Sequence, residues 1–145
     1  MADALSRLQS LTRIAIDSAN GYEAAAETAR TQQLKTILTD AGTKRRRLVE
    51  RLNAEIVRLG GERETSGSAA GSVHRAWTRL ADAFGDGDER ATERVEEGED
   101  YIEQTFREAL DDDSFDPETR ALLRELHAEL QQGERMTDAL EKQYD

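Results

Sequence analysis

The chain has 145 residues with one proline and no cysteine, 37% of them hydrophobic and 35% charged. That is enough for one domain with its own core, and it excludes disulfides, thiolate metal sites and a cysteine nucleophile. The net charge of −11 is uneven: residues 1–60 carry ten Lys/Arg against seven Asp/Glu, residues 61–145 ten against twenty-four, a balance that argues against a nucleic-acid partner.

The opening MADALSRLQSLTRIAI has Asp3 where a secretion signal has a basic start. No apolar run approaches the ~20 residues that cross a bilayer. A cytoplasmic protein that engages no membrane is therefore expected. Apolar residues then recur at helical spacing. A first helix, about 3–31, aligns Leu8, Leu11, Ala15, Ala19, Tyr22, Ala26 and Ala29. A second, about 33–59, aligns Leu34, Ile37, Leu38, Ala41, Leu48, Leu52, Ile56 and Leu59 and stops at Gly60–Gly61. Its KRRR cluster, Lys44 to Arg47, points all round the helix, so it makes no one-sided stripe for phosphates.

After a loose TSGSAAG stretch, a short fifth helix over 72–84 carries Val73, Trp77, Leu80 and Phe84 on one face, with His74 at its edge and Trp77 as its packing anchor. A helix over 88–110 aligns Val95, Gly98, Ile102 and Phe106, where Gly98 permits close helix approach. In DDDSFDPE, Asp116 is suited to cap a last helix over 117–144 and Pro117 to open it. Short loops make two antiparallel hairpins, and residues 60–88 are long enough to cross from one end of a bundle to the other. The expected fold is all-α: a ferritin-like four-helix bundle, two hairpins joined by a crossover containing the short helix, as a single domain over 1–145.

LGGERETSGSAAGSVHRAW (Leu59–Trp77), GED (Gly98–Asp100) and IDSANGYEAAAE (Ile16–Glu27) resemble an uncharacterised family of bacterial ferritin-like four-helix-bundle proteins, over almost the whole chain. The resemblance implies a fold, without an activity. Where members carry a histidine late in the last helix, this chain has Glu134, a departure that weakens any metal role taken from them.

A ferritin-type di-iron site takes Glu from two helices and Glu-x-x-His from the other two. Gly71 and Arg124 stand three residues before the only histidines, His74 and His127, so neither motif is complete. The second helix turns Lys44 and Arg45 inward, between Ala41 and Leu48, and a cation there repels a metal. Two readings follow. In the first, Glu23 or Glu99 pairs with Arg45 and fixes register. The protein is then a non-catalytic bundle with no cofactor, serving a bacterial stress response through a protein partner or as a homo-oligomer, with Ile14 as an exposed contact. In the alternative, Glu23, Glu99, His127 and Glu134 converge on iron or manganese, and the protein handles iron or peroxide.

Overall fold

The computed structural model describes residues 2–67 and 88–144. They form four helices, α1 (Ala2–Thr28), α2 (Gln32–Arg58), α3 (Asp88–Ala109) and α4 (Pro117–Tyr144), and no strand among the described residues. The expected short helix over 72–84, with His74 and Trp77, lies outside the described residues.

The ends follow local chemistry. Thr31 caps α2, its side-chain oxygen accepting from the Leu34 N–H at 3.2 Å, while Lys35 Nζ donates to the Ala26 and Glu27 carbonyls at the end of α1. The α1–α2 turn therefore needs neither Gly nor Pro. At the other end of α2, Gly60 adopts φ +89°. The Gly60 N–H donates to the Val57 carbonyl and the Gly61 N–H to that of Ile56, the crossed pair of bonds that closes a helix on a left-handed residue. Asp116 caps α4, accepting from the Thr119 N–H at 2.7 Å, and Pro117 opens it.

Side-chain contacts give the helix directions. Within the first hairpin, Arg45 reaches Ser18 and Arg46 reaches Asn20 and Glu23; within the second, Arg120 reaches the Leu110 carbonyl and His127 reaches Glu103. Both hairpins are antiparallel. Between them, Arg7 pairs with Asp112, joining α1 to α3, and Arg51 pairs with Glu125, joining α2 to α4. Helices α2 and α3 thus run the same way, and the end of α2 and the start of α3 lie at opposite ends of the bundle.

The beginning of that connection is visible. Gly61 sits against Leu5 and Ile56, and Gly67 against Asp17, so residues 61–67 climb along the α1–α2 seam as a strap. Asn53 holds it as a strand neighbour would: its Nδ2 donates to the Glu64 carbonyl at 3.0 Å, and its Oδ1 accepts from the Glu64 N–H at 2.7 Å. Arg63 straddles Glu50, both oxygens at 2.9 Å. The start of the stretch expected to be loose is docked on α1 instead, because glycine at position 67 lets the backbone come against the Asp17 side chain.

The core has two parts. The larger packs Leu8, Leu11, Leu52, Ile56, Phe106 and Leu126, among others, from all four helices; the smaller packs Tyr22, Ala25, Ala29, Leu34, Leu38 and Val95 at the α1–α2 turn end. Ile14, expected to be exposed, is partly buried against both. Polar Thr12, Asp17 and Ser18 are also buried, since α1 is covered on more than one side.

Candidate functional site: a buried ion pair shared by four helices

Between the two apolar clusters lies a charged centre to which every helix contributes. From α2, Arg45 is 6% exposed, and from α3, Glu99 is fully buried. Nη2 of Arg45 donates to both carboxylate oxygens of Glu99, at 2.9 and 3.0 Å, and Nη1 donates to Ser18 Oγ of α1 at 2.8 Å. One turn on, the Tyr22 ring lies 5.6 Å from the guanidinium carbon, within cation–π range. From α4 comes an absence of bulk. A Cβ on Gly133 would stand 2.6 Å from Glu99 Oε2, so only glycine leaves the carboxylate its place.

Electrostatics follow from this packing. Burial is the largest influence on Arg45 and works against its charge, but Glu99, Tyr22 and Glu129 together outweigh it and raise the pKa of the guanidinium above its ordinary value. Burial, and then the charge of Glu99, pushes the Tyr22 hydroxyl well above the usual phenol range. The centre is an Arg45–Glu99 ion pair beside a neutral phenol. The pair ties α2 to α3 directly, Ser18 brings in α1, and Gly133 seats α4 against Glu99. The guanidinium is bonded on both Nη atoms, and the Tyr22 phenol is held protonated.

The residues singled out from sequence fall in separate places. Glu23 is exposed and paired with Arg46, whose Nε and Nη2 donate to it at 2.9 and 2.8 Å; it faces away from the centre, and the hydrogen bond from Arg46 holds its carboxyl below the usual range. Of the two carboxylates expected near Arg45, only Glu99 meets it. His127 Nε2 lies 3.0 Å from Glu103 Oε1, at the α3–α4 seam. The Glu134 side chain, His74 and Trp77 lie outside the described residues. Gly98 is buried beside Glu99. The described members of the proposed iron or manganese set, Glu23, Glu99 and His127, do not converge, and among the described residues no three His, Asp or Glu side chains gather as metal ligands. Those side chains do not fit a carboxylate-bridged metal. No described helix is long and apolar enough to cross a membrane.

Sequence reasoning passed over Ser18, Glu103 and Gly133. Ser18 and Glu103 are polar positions beside apolar stripes. The signal of Gly133 is its place three residues after Leu130, where continuity of the stripe calls for an apolar side chain.

A family profile matches residues 3–112, described as Domain of unknown function (DUF2383). The chain belongs to that family. The DUF2383 region takes in α1, α2, the strap and α3, and so contains Ser18, Tyr22, Arg45 and Glu99, while Gly133 and His127 lie beyond it. No curated protein and no solved structure matches the chain.

Proposed function

We propose that this DUF2383 chain is a non-catalytic bundle of ferritin-like arrangement that works through association, with copies of itself or with a protein partner. The observation that carries the reading is the guanidinium of Arg45 in the bundle's centre, taken by Glu99 and Ser18. A ferritin-type metal protein places converging carboxylates inside its bundle; a fixed cation there repels the metal and consumes a carboxylate. Parallel α2 and α3, joined by a connection that changes ends, support the ferritin-like arrangement. In keeping with association, Val57 of α2 and Tyr101 of α3 stand exposed, at 53% and 39%.

The test takes protein purified without a metal-chelating tag and measures mass by light scattering and metal by elemental analysis on the same sample. The expected result is a mass above that of the monomer, with iron and manganese far below stoichiometric. Near-stoichiometric metal that disappears in Glu99→Ala replaces this reading with a carboxylate-bridged metal protein. A chain that stays monomeric and crosslinks to no protein in cell extract removes association.

A further inference from the structure

Arg45 points into the centre and Arg46 crosses to Glu23 and Asn20. Lys44 and Arg47 make no hydrogen bond or ion pair with any described residue, and both line a cleft of about 440 Å³ between α2 and α4. The two helices meet along their other halves through Arg51–Glu125 and the Arg58 ion pairs with Asp116 and Glu118. Towards the α1–α2 turn, small Ala41 on one side and Gly133 on the other leave a gap walled by Ile37, Leu48, Leu130 and Met136.

The gap has the size of a small-molecule site, with apolar walls and five charged side chains in its lining. Its charges decide the class of ligand. Arg45 is neutralised by Glu99. Glu129, on the opposite wall, lies within electrostatic reach of Arg45 and Arg51. Lys44 and Arg47 stand one turn apart on α2, where a single anionic head can meet both, whereas the carboxylates of Asp40 and Glu129 sit on opposite walls. The described strap does not fill the cleft. It is held on α2 by Asn53, nine residues beyond Lys44 and so about half a turn around the helix.

We infer that the α2–α4 cleft binds a small amphipathic carboxylate, its head on Lys44 and Arg47 and its hydrocarbon tail along Ile37, Ala41, Leu48, Leu130 and Met136. The cleft runs from Ile37 to Leu48, roughly 16 Å along α2, which suits a medium-length alkyl chain. This site goes beyond the association reading and does not depend on it.

Decanoate, kept below its micelle-forming concentration, is the probe. The full chain contains two methionines, Met1 and Met136, so methyl-labelled methionine gives one signal on the cleft wall and one control. The Met136 methyl should move saturably on titration while Met1 stays. The Lys44→Ala/Arg47→Ala double variant, whose exposed positions leave the fold intact by circular dichroism and thermal melting, should bind about tenfold more weakly. Ala41→Leu, which narrows the cleft, should lose saturable binding. Decyltrimethylammonium, with the same tail and the opposite head charge, should bind at least about tenfold more weakly than decanoate. The inference is overturned by a stationary Met136 methyl, by undiminished affinity in the double variant or in Ala41→Leu, or by equal binding of the cationic amphiphile.

Discussion

Removing the guanidinium of Arg45 leaves the Glu99 carboxylate stranded among Ser18, Tyr22 and apolar side chains. Loss of one partner from a buried pair costs about 3–5 kcal/mol, even where the pair itself contributes little net stability. Arg45→Met should show that loss as a lowered urea midpoint, and adding Glu99→Leu should recover most of it, because no charge then remains buried. A coupling near zero in that double-mutant cycle would place the two side chains apart. Glu55 of α2 is another carboxylate held by its neighbours. Its carboxylate accepts from Arg58 Nε and Nη2 at 2.8 and 2.6 Å and from the Thr119 hydroxyl at 2.5 Å. The bond from Arg58 above all holds its pKa below the ordinary 4.5. A carboxyl whose pKa is depressed by folding stabilises fully above its unfolded value and loses that contribution as pH falls through the folded one. Glu55→Gln should therefore be less stable than the parent at neutral pH, with the gap closing as pH falls below the ordinary carboxyl range, read from urea midpoints across pH. Arg45 itself was legible in the sequence, since Ala41 and Leu48 on one stripe turn the residue between them inward. Its counter-ion was only half legible: helical angle put both Glu23 and Glu99 beside apolar faces, and Arg46, competing for Glu23, settled which one pairs inside.

Among the secondary elements, α4 carries the sharpest test. Gly133→Ala raises helix propensity by about 1 kcal/mol. The added Cβ would meet Glu99 Oε2 at 2.6 Å, and that oxygen is tied to Arg45 at 3.0 Å, so it cannot retreat without giving up one of the pair's two hydrogen bonds. Crowding should win, for a net destabilisation of about 1–3 kcal/mol by thermal melting; a more stable variant would mean that the carboxylate is free to move. Helix starts and stops were the most readable part of the chain, because Asp116, Pro117 and Gly60 act through their own backbone preferences. The strap was the least readable. An extended segment held by one asparagine side chain leaves no periodicity behind, and Asn53 stands among apolar helix positions with nothing local to betray its role. The cleft was hidden for a related reason: Ile37 and Ala41 belong to the α2 stripe, and only the fold leaves them half covered.

Across the whole molecule, the more basic first hairpin faces the acidic second one through exposed pairs at both seams, Arg7–Asp112, Arg51–Glu125 and Arg58–Glu118. Contacts of this kind are weak singly and screened by salt. Raising sodium chloride from low concentration to molar should lower the melting temperature by no more than a few degrees, whereas the penalty in Arg45→Met should persist unchanged; calorimetry at both salt levels checks the two together. The buried pair also bears on the sequence of events during synthesis. Arg45 and Ser18 both belong to the N-terminal hairpin, which leaves the ribosome first, while the matching carboxylate is encoded 54 positions later. For that interval the half-built protein presents a lone cation on the surface it will later bury. A foreign apolar chain cannot settle there without desolvating it, and only an incoming hairpin with an acid at the right height can complete the assembly.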